Sequence, residues 1–117
     1  MTDADFLAYV QSKWPSCVKV GNIGRVRLTG EALCELRGYV YLRDNGRCRE
    51  TDRFVSDDLP DWHADKYHMA HIKSRGAGGS DLPSNCLCLS GAAHRAQHSG
   101  VRLKCMQGRQ APERACE

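Results

Sequence analysis

A chain of 117 residues, 41% hydrophobic and 26% charged, has the size and balance of one compact globular domain, which excludes wholesale disorder, a fibrous repeat or a second independent core. No apolar run approaches the roughly 20 residues that cross a bilayer, and MTDADFLAYV lacks the basic start and apolar core of a secretory signal, so a cytoplasmic protein with no membrane partner is expected. The net charge of +3 hides an asymmetry: seven acidic residues face Arg47, Arg49 and Arg53 between Asp44 and Asp65, whereas seven Lys or Arg face Asp81, Glu113 and Glu117 from His71 onward. A basic half fits a polyanion, although most charge clusters are only solvated faces.

In chain order, Thr2 is placed to cap a helix over DADFLAYVQSKW, in which Phe6, Leu7, Val10 and Trp14 recur at helical spacing before Pro15 ends the run. CVKVGNIGRVRL is β-branched and broken by glycines, which predicts a short extended segment or turn. Thr29 is placed to cap a second helix, GEALCELRGYVYLRD, with Leu33, Leu36, Val40 and Tyr39 toward the core and Asn45-Gly46 as its stop. The acidic RETDRFVSDDLPDWHAD reads as a surface loop carrying His63. Then follow a strand in KYHMAHI, a long loop in KSRGAGGSDLPSN, a strand in CLCLS and a helix start in GAAHRAQHS. After Gly100 periodicity fades, and the last ten residues read as a mobile basic tail.

Seven cysteines are an odd count with no C-x-x-C pair, which favours reduced thiols, and Cys17, Cys34, Cys86 and Cys88 read as small buried hydrophobes. The histidines are more informative. Four of the five lie between His68 and His98, and His94 and His98 stand four apart, so on a helix both rings share one face in the spacing of a metal clamp. Exposed helical histidines also occur at this spacing by chance. A hairpin would bring His71 and Asn85, at the two mouths of the long loop, to the same place. Gly76, Gly78 and Gly79 suit positive φ angles and close approach of a phosphate backbone, or simply a turn.

His71, Gly78, Gly79, Asn85, His94 and His98 reproduce the pattern H-I-x5-G-G-x5-N-x8-H-x3-H, which resembles the HNH endonucleases. The resemblance spans about Cys48 to Gly100, with YLRDNGRC similar to the usual lead-in. It implies an α+β protein with a ββα-metal core, two antiparallel strands in a short hairpin and a helix around one divalent cation. The expected division is an N-terminal helical support over 1–47, the nuclease core over 48–100 and a basic tail over 101–117. It further implies a DNA endonuclease or nickase similar to small stand-alone phage and bacterial proteins. His71 would be the general base, Asn85 would fix its rotamer, and His94 and His98 would hold Mg²⁺, Mn²⁺, Ni²⁺ or Zn²⁺. Lys73, Arg75, Arg95, Arg102 and Lys104 would contact DNA mainly through phosphates.

The chain departs from the family pattern at two places. The position before the catalytic histidine often holds an Asp or His ligand, and here it is Ala70; His68 is the nearest substitute for a third ligand, expected to need a bulge or irregular backbone. The family's two zinc-binding C-x-x-C pairs are represented by Cys48 alone, since Thr51, Ser90 and Ala93 stand at the other three positions. Two rivals follow from these departures. One is a degenerate ββα module that binds DNA or structural zinc without cutting; the other is a structural protein with zinc on His68, His71, His94 and His98.

Overall fold

The computed structural model describes residues 1–107. It is an α+β fold whose described residues form three α-helices and two small antiparallel hairpins. Helix α1, Asp3–Lys13, begins in a reciprocal cap: the Thr2 hydroxyl accepts from the Asp5 N–H, and the Asp5 carboxylate accepts from the Thr2 N–H. Phe6 and Val10 are its buried positions, and Pro15 starts a separate 3-10 turn, Pro15–Cys17, where the sequence signal ends the helix. Helix α2, Gly30–Arg43, buries Ala32, Leu36 and Val40 and stops as Asn45 and Gly46 turn to positive φ. Thr29 occupies its N-cap position, but its side chain makes no capping hydrogen bond there.

Between these helices, the segment expected to be an extended piece or turn is a hairpin of β1, Val18–Val20, and β2, Val26–Leu28. Its tip turns through Gly21–Gly24, where the Gly21 N–H bonds the Arg25 carbonyl. Strand β3, Tyr67–His71, pairs antiparallel with β4, Cys86–Ser90, so that Tyr67 faces Ser90 and His71 faces Cys86. The Ser90 hydroxyl accepts from the Ala93 N–H and caps helix α3, Gly91–His98. One buried cluster joins Phe6 and Val10 of α1, Leu36 and Val40 of α2, and Ala70, Cys88 and Leu89 of the second hairpin. The amino-terminal helices therefore form the floor under the strand-loop-strand-helix unit.

A buried ionic cluster fastens α2 to that unit. The Arg43 guanidinium, almost completely buried, donates to the Asp44 carboxylate and to the carbonyls of Pro83 and Cys86. Asp44 in turn accepts from the Cys88 N–H and from Arg49. Charges buried this deeply persist only where they are paired and hydrogen-bonded, and each nitrogen of the Arg43 guanidinium and each oxygen of the Asp44 carboxylate has a partner here.

The cysteines divide. Cys86 and Cys88 are buried, as expected for alternating positions of an inner strand. Cys34 is exposed and Cys17 half-buried, because the first lies on the solvent side of α2 and the second ends a 3-10 turn. The start of the expected tail folds back: Leu103 is buried, and the N–H groups of Lys104 and Cys105 donate to the Glu50 carboxylate. The ten residues expected to be a mobile tail lie outside the described residues.

Candidate functional site

Strand β3, the loop behind it and α3 bring together His68, His71, Asp81, His94 and His98. Their rings form two groups. In the first, His71 Nε2 lies 2.8 Å from Asp81 Oδ1. Asp81 is fully buried and also accepts from the Arg75 guanidinium and from the Leu28 N–H of β2. Burial by itself would raise its pKa, but the bonds from His71, Arg75 and Leu28 outweigh it and hold the carboxyl well below the usual range. An ionised carboxylate only accepts hydrogen bonds, so the proton of this contact sits on His71 Nε2. In the neutral form of this half-buried ring, Nδ1 is then the nitrogen that carries the lone pair.

The second group is a chain of three imidazoles. His68 Nδ1 lies 2.8 Å from His94 Nδ1, and His94 Nε2 lies 3.0 Å from His98 Nε2. His94 is pushed down to about 4 by burial and by the neighbouring His68, His98 and His71, so at neutral pH it is uncharged. His68 is lowered as well, by burial and by nearby cations led by Arg95. If the His94 proton sits on Nδ1 and is donated to His68, the Nε2 of His94 is left to accept from His98 or to take a cation. Two nitrogens about 2.1 Å from one ion and at right angles around it lie about 3.0 Å apart. His94 and His98 therefore fit a divalent cation as a pair, with His68 holding the far nitrogen of His94. Among the described residues, no group of three or more His, Cys, Asp or Glu converges as a ready-made cage.

His68 reaches this cluster from a regular strand. The β3–β4 register runs residue for residue from Tyr67 to His71 without a bulge, so the irregular backbone expected for His68 is absent. The reason is parity: His68 lies on the face opposite His71, the face it shares with Ala70, and α3 presents His94 there.

Asn85 does not bond the His71 ring. Its side-chain oxygen accepts from the Lys73 N–H, and its NH₂ donates to the carbonyls of Lys73 and Ser80. Its own carbonyl accepts from the Ile72 N–H. Asn85 thus clasps the two ends of the loop that carries Asp81, while Asp81 itself orients the ring. Sequence reasoning missed Asp81 as a site residue; the signal was an acidic residue, Asp81, inside an otherwise basic loop. Gly79 completes the clasp, since a Cβ there would meet the Lys73 carbonyl oxygen at 1.8 Å.

All five expected DNA-contacting residues, Lys73, Arg75, Arg95, Arg102 and Lys104, are exposed. Arg75 is spent within the protein, on Asp81 and the Leu28 carbonyl. Three of the four positions that resemble a zinc clip meet: Thr51 and the Ser90 backbone both bond the Cys48 thiol. Burial pushes that thiol up, but these bonds and those from the Thr51 and Glu50 backbone leave it below its ordinary value. A cleft of about 810 Å³ beside Lys73, Gly79 and Asn85 is lined by no histidine, so the pocket and the imidazole cluster are separate features. Comparison with family models, with curated proteins and with solved structures gives no match to this chain.

Proposed function

We propose that the chain is a divalent-metal-dependent DNA endonuclease or nickase, with β3, β4 and α3 acting as the ββα-metal core that the sequence resemblance implies. Two observations support this reading: the pairing of His71 with a buried carboxylate, and the paired nitrogens of His94 and His98, with His71 near enough to His94 to help lower its pKa. The first is what a general base needs, and the second is what a cation needs.

Asp81 holds the proton on His71 Nε2, so Nδ1 takes a proton from a water molecule. The water oxygen forms the new bond to phosphorus as the bond from phosphorus to the leaving sugar oxygen breaks. His94 and His98 would hold the divalent cation, which when bound would supply Lewis-acid stabilisation of the developing negative charge. His68 fixes the tautomer of His94, and Lys73 and Arg95 hold flanking phosphates.

Supercoiled plasmid incubated with Mg²⁺, Mn²⁺, Ni²⁺ or Zn²⁺ tests the reading. Nicked or linear product should form with at least one ion, vanish with a chelator, and fall about 10²-fold or more in His71→Ala. Cleavage that survives either treatment would overturn it. DNA binding without cleavage under every ion would assign the chain to the non-cutting ββα class instead.

A further inference from the structure

The β1–β2 hairpin carries a surface that the proposed chemistry does not use. Ile23 at its tip is 88% exposed and Val20 is 51% exposed. Lys19 and Arg25 flank them in the chain, and neither side chain has a hydrogen-bond or ion-pair partner among the described residues. No acidic residue occurs between Trp14 and Gly30, so nothing in this segment offsets its charge.

The base of the hairpin is fixed to the catalytic loop. The Arg27 guanidinium donates to the carbonyls of Gly79 and Arg75, each at 2.8 Å. The Val26 N–H donates to the Ser80 hydroxyl, and the Asp81 N–H donates to the Val26 carbonyl. Leu28 donates to the same carboxylate that holds His71. From Leu28 to Ile23 is five residues, part of them in the turn, so at about 3.3 Å for each extended residue the tip lies no more than roughly 16 Å from the His71–Asp81 pair. That distance is about five base-pair steps along a duplex.

We infer that the β1–β2 hairpin is a DNA-contacting ribbon, with Lys19 and Arg25 on the phosphates and Ile23 wedged between base steps within about five base pairs of the phosphate at His71. A basic two-stranded ribbon fits a DNA groove, and an aliphatic tip is the kind of side chain that unstacks a step and bends the duplex. The choice of duplex DNA rests on the nuclease reading, whereas the contact surface rests on the hairpin's own charge and exposure. The ribbon's rigid attachment to the loop makes a bend at the tip position the scissile phosphate.

The test is binding of the metal-free full chain carrying His71→Ala to unrelated duplexes of about 20 base pairs, followed by fluorescence anisotropy across a salt series. Adding Lys19→Ala and Arg25→Ala together should flatten the slope of log affinity against log salt by about 1.8, from about 0.9 per phosphate. Ile23→Asp should weaken binding about tenfold or more, and Ile23→Leu should restore it. A 2-aminopurine placed centrally in the duplex should brighten on binding, and should stay dim with Ile23→Ala. The Ile23 variants should melt as the parent does, because that side chain is 88% exposed. Wild-type affinity and salt slope in the tip variants would overturn the inference, even if plasmid cleavage upheld the nuclease reading. Weakened binding by the same variants in a chain that cleaves nothing would uphold the ribbon and reject the nuclease. Unchanged DNA affinity with lost self-association or lost vesicle binding in Ile23→Asp would overturn it in favour of a protein or lipid surface.

Discussion

His71 is defined by its partner more than by its own position. With Asp81 ionised and accepting at 2.8 Å, the ring has one tautomer and one free nitrogen. Asp81→Asn keeps the shape of the side chain but lets an NH₂ face the ring and reverse its tautomer. Plasmid cleavage should then fall roughly 10²-fold or more while DNA affinity is kept. The ¹⁵N chemical shifts of His71 give a readout independent of activity: the parent should show a protonated Nε2, and Asp81→Asn a mixture of tautomers. Unchanged shifts would mean that Asp81 only braces the loop.

The loop between β3 and β4 is the element on which the site depends, and its shape rests on close backbone approach. Gly78 has φ 93°, and Gly79 lies so near Lys73 that no side chain fits. Gly79→Ala should cost about 3 kcal/mol in urea unfolding and abolish cleavage, since the clasp of Asn85 on Lys73 and Ser80 must open to admit a methyl group. Gly76→Ala is the control: a Cβ there meets nothing within 4 Å, so stability should change by less than about 0.5 kcal/mol. Equal effects at the two positions would show that the loop is not held as described. β2 braces the same loop from outside through Arg27, Val26 and Leu28, which ties the first hairpin to the second although they share no strand pairing.

For the whole molecule, the buried histidines and Asp81 set the response to acid. His94, at about 4 in the folded chain against the ordinary 6.5, binds its proton more readily when unfolded. Between those two values the unfolded state carries more protons, so stability rises with pH and is lost as pH falls from about 6.5 to 4. His68 is lowered and adds in the same direction. Asp81 is depressed too, and its contribution is present above the ordinary carboxyl pKa and lost as pH falls below about 4. The urea midpoint of the metal-free chain should therefore drop in two stages, and His94→Gln should flatten the stage above pH 4. A wild-type midpoint that is constant from pH 7 to 4 would contradict the burial of these rings.

The sequence by itself determined the local features, because they depend on spacing within a few residues. Thr2 and Pro15 bounded the first helix, Asn45-Gly46 ended the second, and four residues between His94 and His98 put both rings on one face. The strand-loop-strand-helix order was legible for the same reason, as alternation and turn residues marked each piece. Only the tertiary structure decided the partners. Nothing near Asp81 in the chain says that Leu28, 53 positions earlier, donates to it, or that the carboxylate orients His71. The sequence also could not show that the amide of Asn85 is taken by backbone, that Arg75 is drawn inward, or that a regular strand carries His68 to His94. Hydrogen bonds between distant segments depend on which faces meet when the core closes, and that packing is a property of the folded chain as a whole.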